Sequence, residues 1–193
     1  AHIQGGEVTG TIDESIRHAM SKFAHIHFPA TEDAKNRLIR LGENPKYVFN
    51  VGCPSIDTII QTPVIDRKIL EKKFNVDFSK PVILLIQHPV TTESSESKKQ
   101  ILKTINVIKD LGVQALVALP NNDAGSSEII EEIKKSGLSW YPSLSTKEFV
   151  NVYRNIWAIV GNSSSGIHES TTFGIPAVNI GTRQQDRERA KNV

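Results

Sequence analysis

The chain has 193 residues, and its 23 basic and 21 acidic side chains leave a net charge of +2. That small, evenly spread charge gives no electrostatic case for nucleic acid or a membrane surface, and no apolar run reaches the ~20 residues of a membrane helix. One cysteine excludes an internal disulfide and six scattered histidines give no metal-ligand spacing, so a soluble, cytoplasmic globular protein without metal is expected.

The opening Ala1-His2-Ile3-Gln4-Gly5-Gly6 reads as the end of a buried strand running into a glycine loop, as in a piece cut from within a longer chain. Ile12, Ile16, Ala19, Met20, Phe23 and Ala24 then recur at helical spacing. Thr31 is placed to cap a second helix through Leu38 and Leu41, closed by Gly42. Strands are predicted at 47–51, 82–86, 115–119, 138–141, 156–160 and 177–180, with helices at 97–110, 126–135, 146–154 and 165–173. Residues 82–86 (Val-Ile-Leu-Leu-Ile) are apolar on both faces, which suits a central strand of a covered parallel sheet. Strand and helix alternate about five times from residue 81, predicting an open α/β sheet with right-handed crossovers. A boundary is expected between Cys53 and Lys80, where Pro54, Pro63 and the charged stretch 66–73 intervene, and the polar run 91–96 reads as a solvated loop. Trp140, Tyr141, Phe149 and Trp157 follow the strand and helix pattern and read as core, while His25 and His27 read as structural.

In open α/β sheets ligands bind beyond the carboxyl ends of the strands, so the residues following each strand matter most. These are His88 to Thr92, Asn121 to Ser126, Gly161-Asn162-Ser163-Ser164-Ser165-Gly166 and Gly181-Thr182-Arg183. The serine loop is neither a Walker A motif, because Ile167-His168 stand where Lys-Ser/Thr is required, nor G-x-G-x-x-G. Its glycines, hydroxyls and N–H groups suit phosphate oxygens, although a plain capped helix start has the same composition. Arg183 shifts the balance towards diphosphate, since a guanidinium can pair with it bidentately. Glu169 suits a pair of ribose hydroxyls or, equally, compensation of a helix dipole. His88 is either a strand-end functional group or a packed histidine before Pro89. At the head of the chain Asp13 and Arg17, and Glu14 and His18, are spaced to share a helix face. They are ordinary surface pairs or, with Gln4, Glu7 and the glycines, part of a loop pressed against a ligand. Cys53-Pro54 lies in a turn with no base beside it, a poor nucleophile.

The run from His2-Ile3-Gln4-Gly5-Gly6-Glu7 through Gly10-Thr11-Ile12-Asp13-Glu14-Ser15-Ile16-Arg17-His18 closely resembles the catalytic segment of the hydrolysing UDP-N-acetylglucosamine 2-epimerases. So do Val51-Gly52-Cys53-Pro54-Ser55-Ile56-Asp57, His88-Pro89-Val90-Thr91-Thr92, Asn121 to Ser126, the serine loop, and Gly181-Thr182-Arg183-Gln184 with Arg187-Glu188 and Asn192-Val193 behind it. The resemblance implies an α/β, GT-B-like architecture of Rossmann domains with open parallel sheets, the present chain being a fragment of a two-domain enzyme. Residues 1–60 would close the N-terminal domain and cross over, and 61–193 would form an incomplete C-terminal UDP-binding domain. It implies elimination of UDP to a 2-acetamidoglycal, then addition of water with inversion at C2, giving N-acetylmannosamine and UDP for sialic acid synthesis. No cofactor is called for.

By the family pattern His88, Asn121, Ser163, Ser164, Glu169 and Arg183 hold UDP. Asp13 is the first candidate for proton transfer, with Glu14, Arg17, Gln4 and His88 completing the catalytic set. Many members carry Glu where this chain has Gln4, and an amide cannot accept and return a proton. Either Asp13 and a carboxylate elsewhere suffice, or the substrate is a UDP-2,4-diacetamido-trideoxyhexose of legionaminic acid synthesis. A non-hydrolysing epimerase and a GT-B glycosyltransferase or nucleotide-sugar module are the competing readings. A homo-oligomer, dimer or tetramer, is expected at full length, and the isolated 193 residues are expected to be inactive.

Overall fold

The computed structural model describes residues 1–9 and 11–193. Gly10, part of the motif at the head of the chain, lies outside the described residues. Two compact units divide the rest: residues 1–61 with 183–188, and residues 62–182 with 189–193.

The first unit is built on a two-stranded parallel sheet. β1 (His2–Ile3) pairs with β2 (His27–Phe28), with His2 opposite His27. Between them runs α1 (Asp13–Phe23), and after them α2 (Glu32–Arg40). Thr31 caps α2 as its sequence predicts, its hydroxyl accepting from the Ala34 N–H, and Gly42 follows the helix end with φ 92°. α3 (Pro54–Gln61) closes the unit's first stretch. The predicted strand at 47–51 is not formed. Residues 45–47 make a 3₁₀ turn capped by Asn44, and only a single bridge, Val48 to His27, survives. Pro45 fixes the turn and leaves too little extended chain for a ladder.

α1 forms on the predicted period, yet Ile12, Ile16, Met20 and Phe23 are exposed, Phe23 by 91%. The opposite face holds α1 in place. Ser21, fully buried, accepts from His2 Nδ1 at 3.0 Å and donates to the Arg17 carbonyl. Burial, then the neighbouring His27, hold the His2 imidazole below its usual pKa, so it is the neutral donor in this bond. His27, 1% exposed, lies 3.2 Å from Glu43, in keeping with a structural histidine.

The second unit opens with α4 (Arg67–Phe74), capped by Asp66, and carries a five-stranded all-parallel sheet. Its strands are β3 (Val82–Ile86), β4 (Gln114–Ala118), β5 (Ser139–Tyr141), β6 (Ala158–Gly161) and β7 (Ala177–Asn179), in spatial order β5-β4-β3-β6-β7. β3 is the central strand, as its apolar faces require. Val82, Leu84 and Ile86 pack with Leu70, Phe74, Val152 and Tyr153, whereas Leu85 packs with Ile101, Ile105, Ile129 and Ile133. The first layer comes from α4, α7 (Thr146–Tyr153) and α8 (His168–Phe173), the second from α5 (Ser97–Asp110) and α6 (Ser126–Lys135). Residues 91–96 form 3₁₀ turns rather than an open loop. Tyr141 and Phe149 pack against the core, but Trp140 and Trp157 lie at the surface, Trp157 61% exposed. Trp140 lies on the edge strand β5 beside Lys134 of α6, and Trp157 immediately precedes β6, outside the strand. No helix among the described residues is long and apolar enough to cross a membrane.

Candidate functional site

The carboxyl edge of the second unit's sheet is organised by Asn162. This residue, 2% exposed, receives the His88 N–H on Oδ1 at 2.7 Å and donates from Nδ2 to the His88 carbonyl at 2.8 Å. A single amide thereby completes both main-chain hydrogen-bonding groups of the residue just beyond β3. Gly161 makes this approach possible. Its φ of 134° is closed to other residues, and a Cβ there would lie 1.9 Å from the Ile86 carbonyl oxygen. Behind the edge the Thr104 hydroxyl donates to the buried Gln87 amide oxygen, fixing the residue before His88.

His88 is itself 7% exposed, and its Nδ1 accepts the main-chain N–H of Asn121 at 3.3 Å. An Nδ1 that accepts leaves the neutral ring's proton on Nε2, so the imidazole presents a donor. Two of the sequence-predicted residues, His88 and Asn121, are therefore joined directly.

The serine loop is a capped turn and also more than one. Ser163 accepts from the Ser165 N–H and hydroxyl, opening a 3₁₀ turn over 164–166 that runs on to α8. The buried Tyr153 hydroxyl donates to the Ser165 carbonyl at 3.0 Å. Burial, with the nearby Glu169 charge, pushes the Tyr153 phenol well above its ordinary pKa, so it stays a donor. Glu169 lies in the first turn of α8, and its Oε2 is buried with no partner. Mere dipole compensation would leave such an oxygen in solvent; a buried acceptor lacking a donor is suited to a ligand hydroxyl. Gly161, Ser163, Gly166 and Asn179 line a recess beside the loop.

The first unit gathers the other candidates. Gln4 follows β1 in the left-handed conformation, φ 58°, and its Nε2 donates to Cys53 Sγ at 2.8 Å. Cys53 also meets the Ser55 hydroxyl at 3.0 Å, so the thiol is held by two neutral groups and no base. Asp13 and Glu14 occupy the first turn of α1. Asp13 is exposed and accepts from the Thr11 hydroxyl; Glu14 accepts the Thr9 N–H at 2.8 Å and lies 3.8 Å from His18. Arg17 does not turn to Asp13: its Nη1 donates to the Glu7 carbonyl at 3.1 Å. Arg37 of α2 likewise donates to the Gly6 carbonyl at 2.6 Å, and a Cβ on Gly6 would lie 2.3 Å from the Ala34 carbonyl oxygen. The loop from Gln4 to Thr9 is thus clamped by two arginines. Arg183 begins the segment 183–188 that belongs to this unit.

Sequence reasoning missed Asn162, Tyr153 and Arg187. Asn162 was visible as an amide immediately after a buried strand and a glycine. Tyr153 carried no signal beyond its place on an apolar helix face. Arg187 stands only in a flanking stretch of the resemblance, with no spacing that points to Glu7.

The family model described as UDP-N-acetylglucosamine 2-epimerase matches residues 1–193. A UDP-N,N'-diacetylbacillosamine 2-epimerase (hydrolyzing) from Legionella pneumophila is 40% identical over the whole chain, which covers 52% of that protein. A UDP-N-acetylglucosamine 2-epimerase from Neisseria meningitidis is 32% identical, again over the whole chain and 52% of its own length. The chain thus spans about half the length of the curated relatives it matches. Among solved structures, the Neisseria meningitidis UDP-GlcNAc 2-epimerase bound to UDP-GlcNAc superposes with a TM-score of 0.82 at 20% identity, covering 96% of this chain and 53% of that one. The Methanocaldococcus jannaschii enzyme in complex with UDP-GlcNAc and UDP gives 0.74 at 17% identity, over 96% and 54%. These likenesses fix the fold as GT-B-like, with its parallel α/β sheet. Matched from its first residue to its last, the chain belongs to the UDP-N-acetylglucosamine 2-epimerase family.

Proposed function

We propose that the whole protein is a hydrolysing 2-epimerase of a UDP-2-acetamido sugar, releasing UDP and the C2-inverted free sugar. The observation that carries this reading is the donor array of the second unit. His88 offers Nε2–H because Asn121 occupies Nδ1, and it is fixed beside the Ser163–Ser164 loop by Asn162. Such donors suit a diphosphate leaving group, whose charge grows as the C1–O bond breaks. Arg183 adds a guanidinium to the same task, and the buried Glu169 Oε2 takes ribose hydroxyls. Asp13, with Glu14 and Arg17 beside it, removes the C2 proton while the C1–O electron pair leaves with UDP, giving a 2-acetamidoglycal. Water then adds its hydroxyl to C1 and a proton returns to C2 on the opposite face. On UDP-N-acetylglucosamine the sugar product is N-acetylmannosamine.

A second substrate is favoured by two observations. Gln4 places a neutral amide, tied to Cys53, where the family pattern that the sequence resembles often has Glu, and the 40% identical Legionella relative is named for UDP-N,N'-diacetylbacillosamine. A UDP-2,4-diacetamido sugar is therefore the companion assay. Released UDP with a reducing 2-acetamido sugar is the expected result on one of the two. UDP-sugar inverted at C2 without free UDP would mean the non-hydrolysing reaction, and no reducing sugar without an acceptor would mean a transferase. Asp13→Asn should lower turnover by about a hundredfold or more with UDP affinity little changed; near-normal turnover removes Asp13 from the chemistry.

A further inference from the structure

One buried ion pair has no part in the proton chemistry or the phosphate donors. Arg187 Nη2 donates to Glu7 Oε2 at 2.7 Å, with side chains only 8% and 13% exposed. Arg187 Nη1 donates to Gln184 Oε1 at 2.8 Å, and its Nε is buried with no partner. Glu7 is held twice, because its main-chain carbonyl accepts from Arg17. Burial draws the Arg187 guanidinium below its ordinary pKa; Glu7 opposes this, while Arg17 and Arg183 add to it. Arg187 thus meets the Glu7 carboxylate while Arg17 holds the same residue's main-chain carbonyl. Asp186, immediately before Arg187, adopts the left-handed conformation at φ 60°. A non-glycine residue stays there only where its surroundings hold it, and here that turn aims Arg187 inward.

We propose that Glu7 and Arg187 are a positioning pair that keeps Arg183 in register with Arg17 and the Gln4–Thr9 loop, so that one brace holds the diphosphate-binding cation and the proton-transfer helix. The proposal rests on the reading of Arg183 and α1 given above. Three residues separate Arg183 from Arg187 on a short segment without regular secondary structure, so the anchor at Arg187 helps set where Arg183 stands. Removing the Glu7 charge leaves the buried Arg187 guanidinium without its counter-ion, and the segment relieves that cost by moving away. Arg183 would move with it.

The test uses the whole protein and begins with wild-type turnover on the two UDP-sugars. Glu7→Gln and Arg187→Met should each lower kcat/KM roughly 10- to 100-fold and weaken UDP binding about tenfold, the double variant being no worse than the poorer single one. Arg187→Lys, which keeps the charge, should recover most of both. Variants with wild-type kcat, KM and UDP affinity but a lower melting temperature would overturn the proposal, as would additive losses in the double variant. Hydrogen exchange on the wild-type protein supplies a readout independent of folding yield in the variants. Amides of 183–188 and of 4–9 should open together; a segment exchanging far faster than the loop would refute the brace. If wild type releases no UDP from either sugar, the functional reading fails, and the exchange result still decides the coupling.

Discussion

Replacing Asn162 with alanine removes one side chain and unpairs two main-chain groups. Its bonds to the His88 N–H and carbonyl, 2.7 and 2.8 Å long, are wholly buried. Each contributes about 1 kcal/mol net, and each group left unsatisfied costs about 1–3 kcal/mol of desolvation. Partial entry of water into the space vacated offsets some of this, leaving a loss of about 3 kcal/mol. That is a large share of the ~5–15 kcal/mol of an ordinary domain, and it corresponds to about 6–12 °C in melting temperature. Asn162→Asp is the sharper probe. It retains Oδ1 for the His88 N–H but turns a second oxygen on the His88 carbonyl, so it should be at least as damaging as alanine. Urea denaturation of both variants in the whole protein measures the loss, and turnover at saturating UDP-sugar reports whether His88 has shifted. An alanine variant within about 0.5 kcal/mol of wild type, or an aspartate variant indistinguishable from it, would refute the two-point clamp.

Gly161→Ala should be more severe still, because its Cβ would meet the Ile86 carbonyl at 1.9 Å and φ 134° is strained for any side chain. Loss of soluble protein, or a fall of about 3 kcal/mol or more in the urea midpoint analysis, is expected. The His2 imidazole, held below its usual pKa of 6.5 by burial and then by His27, favours the neutral form when folded. Its contribution is complete above pH ~6.5, where the unfolded histidine is also neutral, and is lost as pH falls through the folded value. The urea midpoint of the first unit should therefore drop between pH 7 and 5, and His2→Asn should flatten that dependence.

Local rules carried the second unit's strands and the first unit's two helices, and failed for the strand expected at 47–51. Residues 82–86 read as a central strand because five successive apolar side chains have few other uses, and Leu84 and Leu85 are both completely buried. The helix around Ile12 to Phe23 was equally legible as a helix, but periodicity says nothing about what covers an apolar face, and here it lies open. The tryptophans misled because a large apolar side chain buries only where the packing reaches it, and Trp140 is on the edge strand while Trp157 stands before β6 begins. Of the site, the strand-end loops and α1 carboxylates could be picked from order and composition alone. Asn162 looked like one more polar loop residue, since its partners are main-chain atoms that leave no mark in the side-chain sequence. Glu7 and Arg187 lie 180 residues apart, a separation across which no spacing rule operates.

That separation reaches beyond the site, into how the chain is made. Residues 1–61 emerge before the sheet, yet the unit they belong to gains 183–188 only afterwards. Until that segment appears, Glu7 has no Arg187 to face, and the glycine loop must wait with its carboxylate in water. The sheet of the second unit, by contrast, is contiguous from β3 to β7, so all its ladders can close in order of synthesis. Loop closure over so long a stretch is slow compared with local pairing. The later-translated sheet should thus close its ladders before the earlier-translated unit acquires its last ion pair.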